Sequence, residues 1–382
     1  MKGWELLCAR ATVFQRANRI IVKVGTSSLT YPTGELNLGQ IERLVREMVD
    51  LANQGKQLVL VSSGAIGVGM GRLGLRRRPQ TIPEKQAVAA VGQGLLMQIY
   101  EKFFAEYGRV AAQVLLTRGD VADRRRYLNA RNAFLSLLDY RVIPIVNEND
   151  TVAVEEIKFG DNDNLSALVA SLLNADLLVI LTDIDGLFDS DPRLNPLARL
   201  VTRVEEITPG VESLAGGAGS ERGTGGMFTK IQAAKIAVSS GVGMVIANNR
   251  ERDVLRRVCQ GEELGTFFVP RSDRLGSRKR WIAFNMTPAG SIVVDQGARR
   301  AIVNEGRSLL PTGVMGVKGD FEIGDAVCLE GPDHHEFGRG LANFSAREVE
   351  KIMGRKTREI EKILGHCDYD EVVHRDNLVC LG

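Results

Sequence analysis

The sequence predicts an α/β fold, a sandwich built on a parallel sheet, followed by a smaller and mainly β domain. Three observations predict it. Short β-branched runs recur along about the first 250 residues, each ending in a polar or glycine-rich turn. Amphipathic helical patterns lie between them. After about residue 270 the texture changes to short strand-like pieces joined by tight turns. Strand and helix in alternation mark a parallel sheet covered by helices. Continuous apolar runs suit strands buried on both faces.

Taken in order, Arg19–Val24 (RIIVKV) is the first predicted strand and runs into GTSSLT. Leu38–Asn53 repeats apolar residues at i, i+3, i+4 and i+7 and reads as a helix. Gln57–Val61 leads as a strand into SSGAIGVG. Gln86–Tyr107 and Tyr127–Asp139 read as helices, and Val142–Val146 as a strand entering NENDTV. Asn164–Leu173 reads as a helix, Leu177–Leu181 as a strand entering TDIDGLF, Met227–Ser240 as a helix and Val242–Ala247 as a strand. The polar, basic stretch RSDRLGSRKRW reads as a linker. Beyond it GSIVVD, VMGVKGDF and DAVCLEG read as strands, with PTG and GDFEIGD in their turns. The expected division is an N-terminal extension at 1–18, a first domain at 19–270, a linker at 271–284, and a second domain with the C-terminal segment at 285–382.

Composition narrows the function. Hydrophobic residues at 44% and charged residues at 25% are those of an ordinary globular protein. The 49 Lys and Arg against 47 Asp and Glu leave a net charge of +2. That balance argues against a chain whose main task is gripping nucleic acid or an anionic membrane. The five cysteines are scattered and never spaced as CxxC, which fits a reducing, cytoplasmic setting rather than a disulfide framework or a zinc knuckle. No apolar run reaches the roughly 20 residues of a membrane helix. The opening MKGWELLCARATVFQRAN lacks the apolar core and cleavage site of a signal peptide. The four histidines are His334, His335, His366 and His374, so the first 333 residues contain none. A Ser-His-Asp triad or a His-ligated metal confined to that region is excluded. Chemistry there must use carboxylates, lysines, hydroxyls and backbone amides.

The 41 glycines, about 11% of the chain, cluster in loops. No GxxxxGK[ST] occurs, which disfavours a P-loop. GMGRLG at Gly69–Gly74 matches GxGxxG, but it begins eight residues beyond Val61 rather than at the strand–helix turn, so it is a weak dinucleotide signal. Two other glycine loops are better placed. GTSS directly follows the strand that contains Lys23, and GSERGTGGMFTK at Gly219–Lys230 precedes a helix. Backbone amides in such loops turn toward anions. Lys230 in a first helical turn opposes the helix dipole and calls for an anionic partner. Lys23 interrupts an apolar strand, where a lysine is costly unless it is paired or reaches solvent. Three acid and amide clusters accompany these lysines: Asn147–Thr151, Gly160–Asn164 and Thr182–Gly186. Helix capping accounts for Asp163 or Asn164 and turn chemistry for Asp185–Gly186. Together the clusters, lysines and glycine loops suit a Mg–nucleotide site. RRRP at Arg76–Pro79 and RRR at Arg124–Arg126 read as solvated or intersubunit faces, and His334–His335 as loop residues.

VKVGTSSL, LVSSGAIGVG, AAVGQGLLMQIYE, LLTRGD, RYLNARN, IPIVNENDTV, GDNDNLSALVA, LTDIDGLF, DPR and GTGGMFTKIQAA follow one another in this order. In that order they resemble the amino-acid kinase family, closest to its members that phosphorylate the γ-carboxylate of L-glutamate. AGSIVVDQGARRAI and SLLPTGVMGVKGDFEIGDAV resemble a PUA domain. The resemblance covers roughly residues 19–380. It implies a three-layer α/β/α amino-acid kinase sandwich with a mainly parallel central sheet, and a small, mainly β PUA domain. It implies that ATP phosphorylates L-glutamate to L-glutamyl 5-phosphate, the first step of proline biosynthesis. Mg²⁺ rides on the ATP phosphates with no protein ligand assigned. It also implies feedback inhibition by proline and a homo-oligomer, dimer or tetramer. Residue by residue, the resemblance makes Lys23 and Lys230 phosphate-binding lysines and Asp163 the acid that holds them. It places Ser63, Asp150 and Asn162 at glutamate. At ATP it places Lys23, Thr182, Asp183, Thr224, Gly225, Gly226, Met227, Phe228, Thr229 and Lys230. Two alternatives stay open: a sibling kinase acting on another carboxylate or on a phosphate substrate, and an RNA-binding protein acting through the PUA domain. Residues 281–382 carry 12 Lys and Arg against 16 Asp and Glu, a balance of 12 − 16 = −4, which disfavours RNA.

Overall fold

The apolar runs of the first half form the strands of one sheet. A computed structural model describes residues 13–31, 35–152, 162–215, 226–270, 286–366 and 369–381. The chain divides into two compact units, residues 1–121 with 125–274, and residues 122–124 with 275–382. In the first unit the strands are β1 (Arg19–Val24), β2 (Gln57–Ser62), β3 (Ala111–Leu116), β4 (Ile143–Glu148), β5 (Leu177–Thr182), β6 (Arg203–Val204), β7 (Gly243–Asn248) and β8 (Thr266–Phe268). They lie in the order β3-β4-β2-β1-β5-β7-β8-β6. From β3 to β7 every neighbour is parallel; β8 runs antiparallel to β7, and β6 runs parallel to β8. The sheet is therefore mainly parallel, as the alternation predicts. The principal helices are α1 (Leu38–Asn53), α2 (Ala65–Leu73), α3 (Ile82–Glu106), α4 (Arg124–Asp139), α5 (Asn162–Leu172) and α6 (Met227–Ser239).

Side-chain alternation along β1 sets the layers. Ile20, Val22 and Val24 share one face and join a core with Ile41, Val45 and Met48 of α1 and Tyr100 and Phe104 of α3. Lys23 lies on the other face, where α5 packs over β1 and β5 and α6 packs on α5 and β7. Helices therefore cover both faces, giving three layers. Helix α3 starts four residues before the periodicity suggests, because Thr81 and Glu84 form a capping box with Pro83 in the first turn. The periodicity does not reveal β3, whose AAQVLL is only partly buried at the sheet edge.

GMGRLG forms the second half of α2 and its C-cap, with Gly74 at φ +63°. A Cβ on Gly69 would stand 2.0 Å from the Val88 oxygen, and one on Gly92 would stand 1.8 Å from the Ala65 oxygen. These glycines let α2 and α3 touch backbone to backbone, so the motif is a helix-packing device.

The second unit holds β9 (Gly290–Val294), β10 (Val314–Gly319), β11 (Ala326–Glu330), β12 (Glu336–Leu341) and β13 (Leu378–Cys380) in the order β10-β9-β11-β12-β13. All pairs are antiparallel except β9 with β11. Ile292, Val294, Val327, Leu329, Phe337 and Val349 lie in its core. This is the mainly β domain expected from the sequence. His334 sits in a turn at φ +58°, and its Nδ1 is 3.5 Å from Glu330 Oε2, which also pairs with Lys318 at 2.6 Å. The histidine pair is thus part of a loop, as expected.

Candidate active site

Ligands of parallel sheets bind beyond the carboxyl ends of the strands. β1, β2, β4 and β5 end here beside a cavity of about 550 Å³, lined by Lys23, Ser63, Asn147, Asp150, Asn162, Thr182, Asp183 and Lys230 among others. A second cavity, of about 490 Å³, opens at the opposite strand edge beside Gln57 and Ile143. None of the side chains singled out from the sequence lines it.

The lysines are held by one carboxylate. Lys23 is placed by register, opposite Val61 of β2 and Ile180 of β5. Its ammonium lies 2.6 Å from Asp163 Oδ1. The Lys230 ammonium lies 3.1 Å from Asp163 Oδ2. Lys23, Asp163 and Lys230 are 7%, 2% and 4% exposed, so the pairs operate away from bulk water and are strengthened by it. The Thr229 hydroxyl donates to the same Oδ2 at 2.7 Å. Burial pushes the Asp163 carboxyl up. Lys23 and Lys230, with hydrogen bonds from Lys23 and Thr229, outweigh burial and hold it below the usual carboxylate range. The sequence left Asp163 open to a capping role. In the structure it stands one residue inside α5, and its carboxylate serves the lysines instead. The anionic partner that Lys230 required is this carboxylate. Lys23 is paired rather than reaching solvent. A Cβ on Gly25 would lie 3.7 Å from the Lys23 nitrogen, so glycine keeps the space beside the ammonium open.

The other side of the cavity is a network of amides. Asn162 Nδ2 lies 3.0 Å from the Ser62 carbonyl, 2.9 Å from Ser63 Oγ and 2.8 Å from Asn147 Oδ1. Asn147 Oδ1 also accepts from the Glu148 amide, and its Nδ2 donates to Gln93 Oε1. Behind them Ser62 Oγ and the buried Tyr100 hydroxyl are 3.0 Å apart. The buried Asn162 Oδ1 has no hydrogen-bond partner among the described residues.

The structure thus brings Lys23, Ser63, Asp150, Asn162, Thr182, Asp183 and Lys230 around one cavity. Asp163 lies behind the lysines. Gly226 caps α6, and Met227, Phe228 and Thr229 form its first turn. Thr224 and Gly225 lie outside the described residues. Sequence reading missed Asn147 as a site residue, although it belongs to the flagged NENDT cluster. It also missed Arg78, which lines the cavity, whereas RRRP reads in sequence as a solvated or intersubunit face.

A three-layer sheet carrying a buried lysine–carboxylate–lysine group at its carboxyl edge defines a kinase of the amino acid kinase family. The chain belongs to that family, matching it over residues 18–248, and it matches the PUA domain over residues 290–364. Its relatives are more particular. The glutamate 5-kinase of Thermoanaerobacter sp. (strain X514) is 57% identical over 363 residues, covering 95% of this chain and 98% of that one. The glutamate 5-kinase of Moorella thermoacetica is 58% identical over 367 residues, covering 96% and 97%. That of Geobacter sp. (strain M21) is 50% identical over 372 residues, covering 97% and 100%.

Proposed function

We propose that the chain transfers the γ-phosphoryl group of ATP to the γ-carboxylate of L-glutamate, giving L-glutamyl 5-phosphate, the first step of proline biosynthesis. The observation that carries the chemistry is the pair of lysines held by Asp163 beside the cavity. The 57% identity to a glutamate 5-kinase supports glutamate as acceptor.

A γ-carboxylate has a reference pKa of about 4.3, so it is already an anion at neutral pH. No general base is needed, which suits a cavity lined without histidine. A carboxylate oxygen bonds to the γ-phosphorus. The bond from that phosphorus to the β–γ bridging oxygen breaks, and its electron pair leaves on ADP. The obstacle is bringing an anion onto a polyanion. Two ammonium groups sharing one carboxylate leave net positive charge where the equatorial oxygens gather negative charge. Because Asp163 fixes them beforehand, little reorganisation accompanies the transition state. Lys23 and Lys230 are the catalytic residues of this reading, and Asp163 is a positioning residue. Ser63, Asp150 and Asn162 take glutamate, while Thr182, Asp183 and residues 224–230 take the nucleotide.

ATP brings Mg²⁺ with it. Among the described residues no group of three His, Cys, Asp or Glu side chains could hold a metal. In this reading the ion rides on the ATP phosphates, with no protein ligand assigned. Inhibition by proline, a homo-oligomeric state, a cytoplasmic setting and a linker at 271–284 belong to the same proposal. No helix among the described residues is long and apolar enough to cross a membrane.

The test incubates the full chain with MgATP, hydroxylamine and one candidate acceptor at a time. Glutamate should give the hydroxamate, with ADP released in step. Turnover of aspartate or carbamate with none of glutamate would favour the sibling-kinase reading.

A further inference from the structure

We infer that Arg78 binds the α-carboxylate of the amino-acid substrate and so determines which acceptors the cavity takes. The inference rests on the reading of the cavity as a glutamate site. Glutamate carries three charges, and each needs an answer from the lining. The γ-carboxylate must approach the phosphoryl group near Lys23 and Lys230. The α-ammonium can meet Asp150 and Glu148. The α-carboxylate needs a cation. Among the described residues the cavity lining contains three cationic residues, Lys23, Lys230 and Arg78. The two lysines are held by Asp163 at the phosphoryl end. That leaves Arg78.

The side chain suits the task. Among the described residues nothing hydrogen-bonds to or pairs with its guanidinium. Its planar fork of donors matches a carboxylate in bidentate geometry, which an ammonium does not. Its root is fixed. The Arg78 carbonyl accepts from Gln80 Nε2 at 3.0 Å, Pro79 is buried, and the Gln80 and Thr81 amides both donate to Glu84 Oε2 in the capping box of α3. The loop is tied down while the guanidinium is not, which is the arrangement of a group waiting for a ligand.

The test compares the full-length protein with Arg78→Gln and Arg78→Lys in steady-state hydroxamate assays. L-glutamate is set against isoglutamine, its α-carboxamide, followed as substrate or as competitive inhibitor. Arg78→Gln should raise the KM for glutamate by about 10- to 100-fold, the worth of a hydrogen-bonded charge pair. The kcat and the KM for ATP should stay within about threefold. Isoglutamine should bind the variant and the unaltered protein alike, since it has no α-carboxylate to lose. Arg78→Lys should recover part of the glutamate affinity. An unchanged KM for glutamate, an equal loss for isoglutamine, or a fall in kcat alone would overturn the inference. Failure of the unaltered protein to phosphorylate glutamate would instead overturn the reading beneath it.

Discussion

At one end of the cavity two buried ammonium groups close on a single carboxylate; at the other, amides meet amides. Lys23 and Lys230 lie 2.6 and 3.1 Å from Asp163. Asn162, Asn147, Ser63 and Gln93 share neutral hydrogen bonds of 2.8 to 2.9 Å. The difference follows from what each end has to do. Negative charge concentrates on the phosphoryl group during transfer, and stabilising it requires opposite charge fixed in advance in a dry setting. An amino acid must enter, be recognised and leave, and neutral donors and acceptors can exchange partners with it at small cost. The two ends should therefore fail differently when altered.

The largest effect should come from Asp163→Asn. Two buried ammonium groups would lose their counter-charge, and breaking a buried pair in this way costs about 3–5 kcal/mol of stability. Chemical denaturation should report that loss together with a collapse of activity. A loss below about 1 kcal/mol would show that water already screens the group, and the contrast between the ends would weaken. Next come Lys23→Ala and Lys230→Ala. Each removes a donor aimed at developing charge, so each should lower kcat about 100- to 1,000-fold. The KM for glutamate should move less than threefold. A kcat left intact with a raised KM would place that lysine at the amino-acid end instead.

Much of this division was legible in the residues, and the missing part has a physical cause. Lys23 stood out because a lysine inside RIIVKV demands a partner, and Lys230 because it opposes its own helix dipole. Neither observation could name the partner. Asp163 is 140 residues from Lys23 (163 − 23) and 67 from Lys230 (230 − 163), and only the packing of α5 over β1 and of α6 on α5 brings them together. Its position near a helix start offered capping as an equally local explanation. The buried strands β1, β2, β4, β5 and β7 announced themselves as continuous apolar runs, whereas β3 lies half-buried at the edge and did not. Arg78 was hidden because RRRP looks the same on a solvated face as beside a cavity. Its place depends on how α2 and α3 cross, and GMGRLG could not reveal that crossing while it read as a weak phosphate motif.

That crossing yields a smaller prediction. Gly92→Ala would put a Cβ 1.8 Å from the Ala65 backbone oxygen, so α2 must shift away from α3. α2 begins at Ala65, next to Gly64 and Ser63, so the shift should reach the amide end and leave the lysines in place. Overpacking of this kind costs about 1–3 kcal/mol. Thermal melting should show it, and the KM for glutamate should rise more than the KM for ATP. Asn162→Ala should cost less stability, about 1–2 kcal/mol, the usual price of lost hydrogen bonds. Its kinetic defect should again fall on glutamate.

The smallest effect is the pH dependence of the charged end, and its sign is fixed by Asp163. Burial raises this carboxyl, but Lys23 and Lys230 hold it below the ordinary range in the folded chain. In the unfolded chain an aspartate titrates near about 3.9. A carboxyl whose folded pKa is depressed contributes stability that is fully present above the unfolded pKa and is lost as pH falls through the folded pKa. The difference in unfolding free energy between the unaltered protein and Asp163→Asn should therefore stay level between about pH 5 and 7. It should narrow only below about pH 4, where the unfolded carboxyl becomes protonated while the folded one still resists. Denaturant titrations of both proteins across that range measure it directly. Narrowing already between pH 7 and 5 would mean that burial wins over the lysines, and that the charged end is held together less firmly than the amide end.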